Sequence, residues 1–579
     1  MRGSADELVA RLRAGQSFED QTVVDVDLRE RDLSGARLAG ARFKGVLFDG
    51  ANLSGADLSE TVFIECSLPE TIFDDADLSG VKAQGLDMVG ASFRNARLGK
   101  AMLVGADLRK VTLDGADLTD AVLVYAQLAG VPFVGTTMRG TRLDMATLVG
   151  SRFSEVELEG CTFSRADLRD AVFEGVPIRR CAFVAANLAG ARLDTSTMTQ
   201  CVLQGVDLRA ATLPKRLKSC VMDACLLSDH DLKDKDLSGT ELSGQDWSGI
   251  DLENANLSGS VLQGMSLRGA NLRGANLERA VLTGSDLRGA DLAGANLYMT
   301  MLDKADLRGI DFSGRELEMA NFAEADLRDV DLSGLRAERC ALMGADLRGA
   351  DLTRAELKHV VMTDAKVDGA VLNRTRLEGV DLGSIDLRKV SLTNVTFKAC
   401  LFQKCDFVDV DLSGHDFSCC TFNEASMMRV KMSDCVIDMA NFKKTDLRQA
   451  NLSGISARGC FFGEANLQHA NLRGTELRNS TFTKADLTSA IFASSDLRET
   501  MLDRVTAHET LFQSSRMHWS DLSHADVSRA DFSGANLFYA NLHNIKEEGT
   551  IWGGAEKVGA RATDVDRLEA EAYRPPTPR

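Results

Sequence analysis

Residues Ala270 to Leu297 read ANLRGANLERAVLTGSDLRGADLAGANL, and the pattern recurs every five residues. Each unit has a small residue, usually Asp or Asn, then Leu, then two variable positions that often end in Gly. With Leu at position i, the small residue is i−2 and the acid or amide is i−1. Five residues of α-helix turn the chain by roughly 500°, which would scatter the leucines around every side and leave no buried stripe. In an extended strand, i and i−2 share a face, so the small residue is buried beside Leu while Asp or Asn points outward. Because five is odd, the next Leu would fall on the opposite face unless the chain turned within every unit. Gly, Asn, Asp and Ser at the linking positions supply that turn chemistry. A chain that winds this way buries its leucines only by stacking coil on coil, as a solenoid.

Ala270-Asn271-Leu272, Ala290-Asp291-Leu292 and Ala345-Asp346-Leu347 match literally the A(D/N)LXX unit of the pentapeptide-repeat family, which the chain resembles over most of its length. The resemblance implies an all-β solenoid, a right-handed quadrilateral parallel β-helix with four units per coil. At that pitch the repeats fill about 26 coils. Function follows much less closely, since one scaffold serves many purposes.

Outward from this stretch, the pattern predicts five segments. Residues 1–24 are a capping helix and lead-in: Ser4 to Ala14 has acids in its first turn, Leu8, Val9 and Leu12 on one side, and Gly15 beyond its end. Residues 25–213 are a first stack, with centres running without slip from Leu28 to Leu213. Residues 214–221 are expected to interrupt it, because the next centre, Met222, falls nine residues on and Pro214-Lys215-Arg216-Leu217-Lys218 reads as a loop. A second stack covers 222–553. Residues 554–579 hold a short helix, Thr563 to Ala572 with Thr563 as N-cap, and a disordered Pro-rich tail. After the break, the inward i−2 slots hold His230, Lys235, Thr240 and Gln245, a polar coil expected to be a loosened end, as at Arg31. Arg315 and His415 are isolated oddities in the same slot.

The composition excludes several functions. Thirteen cysteines suggest metal or disulfides, yet all but Cys419 occupy the i−2 slot and read as small buried hydrophobes. The eight histidines offer no metal-ligand spacing. Asp at i−1 recurs too widely to single out a catalytic pair, and no phosphate-loop motif occurs. Catalytic, cofactor-binding and metal residues are therefore expected to be none. A net charge of −18 disfavours direct nucleic-acid binding. No apolar run reaches the roughly 20 residues of a membrane span, and the N-terminus lacks a signal sequence, which predicts a cytoplasmic protein.

Aromatic residues make up only 6% of the chain, so outward ones stand out. With Met517 and Leu537 as centres, His518 and Phe538 fall at i+1 and Trp519 and Tyr539 at i+2. Twenty residues separate each pair, which stacks them on adjacent coils as a candidate protein-contact surface. A C-terminal helix folded over the rings would explain them equally well. The expected function is a non-enzymatic protein-binding scaffold or adaptor rod, with a second copy of the chain among its partners. The family resemblance adds two alternatives. One is an acidic DNA-mimicking regulator of a type II topoisomerase such as gyrase, although units reading D-L-R neutralise their own acid. The other is an effector or accessory of a bacterial secretion system, delivered to another cell without a signal peptide.

Overall fold

Position i and position i−2 both point inward: Leu272 and Ala270, for example, are fully buried. The computed structural model describes residues 5–227 and 231–573, and the chain is a right-handed quadrilateral parallel β-helix. Parallel pairs join residues twenty apart, from Thr22↔Arg42 at the start to Asn541↔Arg561 at the end. The winding therefore takes in Phe18 and Val23 as additional buried centres ahead of Leu28, and passes beyond Trp552. Two compact units divide it, Met1–Asp286 with Ala290–Asn296, and Leu287–Gly289 with Leu297–Arg579.

Each position of the unit has its own task. The i−1 carboxylate or amide accepts the backbone N–H two residues on, as Asp57 does from Ser59 and Asn52 from Ser54, which closes the corner. The i+2 residue takes a left-handed conformation in unit after unit, whether glycine or not; Glu60 has φ 55° and Met145 φ 56°. A hydroxyl at i−2 donates to the carbonyl of the centre residue 23 positions earlier, as Thr61 does to Leu38 and Thr445 to Phe422. Core polarity is thereby satisfied coil by coil.

The ends are closed by different means. Helix α1, Ala5–Arg13, buries Leu8 and Val9, and its Arg11 lies 4.7 Å from the Phe18 ring centroid. Arg31, exposed, turns outward to pair with Asp6 of that helix at 3.0 Å. At the other end Trp552 stacks on Phe532 at 4.5 Å, and the Lys557 ammonium sits 3.3 Å from its centroid. Helix α2, Val565–Ala572, follows. Its N-cap is Asp564, which accepts from the Arg567 N–H; the expected cap Thr563 accepts instead from the Asn544 N–H.

The expected interruption at 214–221 is not a loop. Arg216–Lys218 is a strand paired with Thr197–Thr199, and Leu217 is a buried centre only four residues after Leu213. One corner residue is deleted and Pro214 is buried at the tightened corner. Pairing continues on both sides, through Val202↔Val221 and Arg216↔Asp236. The reach from i−2 side chain to carbonyl shortens accordingly to 22, from Cys225 to Leu203 and from Lys235 to Leu213.

The polar coil is likewise tighter than expected. Thr240 is buried and donates to the Leu217 carbonyl, while Gln245 donates to the Met222 carbonyl and accepts from the Trp247 indole. His230 lies outside the described residues. Arg315 is half-buried with its guanidinium 5.9 Å from the Phe312 ring.

Candidate functional site

The four aromatic side chains singled out by the repeat register do come together. Trp519 and Tyr539 are corner residues at i+2, held at φ 60° and 55°, and the coil pitch lays one ring over the other. Their centroids are 4.4 Å apart with 14° between planes. Phe538 meets Tyr539 edge to face at 4.4 Å, and His518 lies 6.2 Å from Phe538. The column ends at Gly559, where an added Cβ would come within 2.7 Å of the Tyr539 ring; glycine is what lets that ring lie flat on the corner. Trp519 remains 56% exposed and Tyr539 42%. Beside them, the buried Nδ1 of His518 has no hydrogen-bond partner among the described residues.

Helix α2 does not cover these rings. It has no buried residue and docks against the adjacent side of the coil through Glu571, whose Oε2 is 3.2 Å from His524 Nε2 and 3.4 Å from His543 Nε2. Three ligand-type atoms converge here, a grouping the sequence hides because His524, His543 and Glu571 are far apart along it. The hydrogen bonds favour a latch over a metal centre. The Asp564 backbone N–H donates to His543 Nδ1, so that ring carries its proton on Nε2, which then donates to Glu571. A metal on that Nε2 would need the proton moved to an atom already facing a donor.

Arg567 first, and His543 after it, hold the Glu571 carboxyl below its ordinary value. A lowered folded-state value contributes stability above the ordinary glutamate range, and that stability is lost as pH falls through the lowered value. Docking of α2 is therefore expected to persist at neutral pH and fade below about pH 4. Amide exchange over 565–572 at pH 7 and pH 3.5 checks this, with Glu571→Gln expected to show the released pattern at both.

Many of the acids at i−1 are paired within their own unit. In the first unit Asp27, Asp107, Asp167 and Asp207 each bind the arginine two residues on at 2.6–2.8 Å. In the second, Asp306, Asp326, Asp346, Asp386 and Asp446 do the same, at 2.6–2.7 Å, and all five lie at multiples of twenty on one side. Their arginines also reach the next coil, Arg308 to Asp326 at 3.3 Å and Arg388 to Asp406 at 3.1 Å. The guanidiniums hold Asp27 at about 2 and keep Asp326, Asp346, Asp386 and Asp446 below their usual range. This side is a zipper of paired charges with no bare acidic stripe.

The thiols are as the register predicts: all thirteen are free, twelve are buried and Cys419 is exposed. Burial pushes Cys340 up to about 11 and Cys405 and Cys460 up to about 12, away from the reactive thiolate. Iodoacetamide is expected to label the native protein at Cys419 alone and all thirteen sites after denaturation. Mass spectrometry of the two samples checks it.

A sequence profile described as "Pentapeptide repeats (8 copies)" matches residues 27–63, 71–175, 178–213, 236–394, 396–434 and 515–546, and one described as "Pentapeptide repeat region" matches 425–502. No curated protein sequence gives a significant match. Among solved structures, HetL, a pentapeptide repeat protein involved in heterocyst differentiation regulation from the cyanobacterium Nostoc, is 22% identical over 52% of this chain and 98% of its own, with a TM-score of 0.18. QnrB1, a plasmid-mediated fluoroquinolone resistance protein, is 20% identical over 38% of this chain and 94% of its own, with a TM-score of 0.19. Scores this low carry no inference about function.

Proposed function

Because the chain belongs to the pentapeptide-repeat family, we propose that it is a non-enzymatic scaffold that binds other proteins, and that the Trp519/Tyr539 corner is its contact surface. The observation that carries this reading is the exposed ring stack. Two large rings lie parallel at 4.4 Å, and helix α2 docks on another side and leaves them uncovered. Flat, rigid aromatic area with little rotamer entropy to lose is what protein interfaces bury at their centres.

The partner is a second copy of this chain or a different protein, met in the cytoplasm. A DNA-mimicking regulator of a topoisomerase such as gyrase is the second reading. The net charge of −18 favours it, while the Asp–Arg zippers weigh against it, because a duplex presents unpaired phosphate charge. Delivery by a bacterial secretion system is a third context for the same contact surface. Sedimentation of the intact chain across concentration tests self-association. A gyrase supercoiling assay separates the mimic from the scaffold: no inhibition at micromolar protein is expected, and inhibition would overturn the preference.

A further inference from the structure

His415 occupies an i−2 slot that usually holds a small residue such as alanine, cysteine, serine or threonine, and the wall of the β-helix opens beside it. Its Nε2 lies 2.9 Å from the Leu392 carbonyl oxygen and its Nδ1 2.9 Å from that of Leu412, and the nitrogen that carries the proton donates. The partner 23 residues back is the one a serine or threonine would choose. A hydroxyl, however, sits one bond beyond Cβ, whereas Nε2 sits at the far end of a ring, and the two coils are parted beside it. The parallel bridges Ser391↔Asp411 and Thr396↔Asp416 are missing, although Val371↔Ser391 below and Asp411↔Lys431 above are made. The backbone N–H groups of Leu392, Asn394, Asp411 and Asp416 lack the ladder bonds that Leu412, Gly414, Lys431 and Val436 make one coil further on, and the loosening extends one coil back to Leu372, Arg374 and Ser391. The core behind stays closed, with Phe397 and Phe417 stacked at 4.9 Å.

The result is a cleft of about 1010 Å³ reaching from solvent to the apolar lip of Val390, Val395 and Phe397. Its volume is that of a ligand pocket. Its free groups are alternating backbone donors and acceptors, which a β-strand complements and a rounded small molecule does not. Its rim is acidic. Arg388 is engaged by Asp386 and Asp406, and Asp409 by Arg429. Asp411 and Asp416 make no ion pair among the described residues; Lys431, directly above Asp411 on the next coil, is the cation nearest to it along the ladder.

We propose that this cleft binds a short extended peptide segment of another protein, whose backbone pairs with the open ladder and whose lysine or arginine side chains meet Asp411 and Asp416. The site is separate from the aromatic corner and does not depend on it. The test is titration of the full chain with acetyl-Val-Lys-Val-Lys-Val-amide by calorimetry, beside the same peptide with glutamate for lysine and a version N-methylated on alternate amides. Saturable binding of the lysine peptide is expected, at least about tenfold tighter than either control. His415→Ala restores the ordinary slot, so it should close the cleft, abolish the binding and slow amide exchange at Leu392 and Asn394. Asp411→Asn with Asp416→Asn should weaken the lysine peptide about tenfold and leave exchange unchanged. No saturable binding by the wild-type chain, equal binding of the controls, or undiminished binding by His415→Ala would each overturn the proposal.

Discussion

Trp519→Ala combined with Tyr539→Ala weakens association with the protein partner by roughly 30-fold or more, since truncating one central aromatic typically costs about 2 kcal/mol of binding and each 1.4 kcal/mol is a factor of ten. The same double variant keeps its melting temperature nearly unchanged. Within the chain the rings stack on each other, with Phe538 edge-on to Tyr539, and an aromatic pair contributes about 0.5–1.5 kcal/mol beyond its area. Sedimentation, or recovery of a defined partner on an immobilised chain, reads the first effect and calorimetric melting reads the second. A lowered melting temperature with intact association would reassign the rings to the fold. Truncation after Thr563 distinguishes the role of α2: the helix docks through His524 and His543, so its loss should leave association through the rings intact.

Leu217→Ala costs about 2–5 kcal/mol, the usual range for emptying a buried leucine site. Lys218→Ala, one residue on and exposed, stays within about 0.5 kcal/mol. The contrast decides what the 214–221 segment is. If these residues formed a surface loop, both substitutions would be mild and trypsin would cut at Arg216 or Lys218. As a strand paired with Thr197–Thr199 and followed by the bridge Arg216↔Asp236, the segment resists cleavage and takes part in the cooperative unit. Denaturant melts of the two variants, with the cleavage pattern of the native chain, settle it.

The fold was legible because one constraint repeats: an odd period, a small residue at i−2 and turn chemistry between. The same register puts twelve cysteines inside and lays Trp519 over Tyr539. It misled at Leu217, where a single deleted corner residue makes the count jump by nine from Leu213 to Met222, and the cations Lys215, Arg216 and Lys218 disguise the centre between them. Strand exposure explains the disguise, since Arg216 and Lys218 flank an inward residue and point out. The His524, His543 and Glu571 latch was invisible because no short spacing joins its members; the coil pitch aligns the histidines and the returning helix brings the glutamate. His415 was visible as an oddity, but the parted wall beside it needed the geometry.

The left-handed corners bear on how such a chain diversifies. A non-glycine residue in that conformation costs of order 1 kcal/mol, yet Glu60, Met145, Trp519 and Tyr539 all accept it. Glycine there would be conformationally easier and would present nothing. Each non-glycine corner is thus a tile held against intrinsic ease, and tiles twenty apart form columns running along each unit. Recognition can be rewritten one column at a time by exchanging corner residues, while the inward alphabet of leucine, phenylalanine and alanine stays the same.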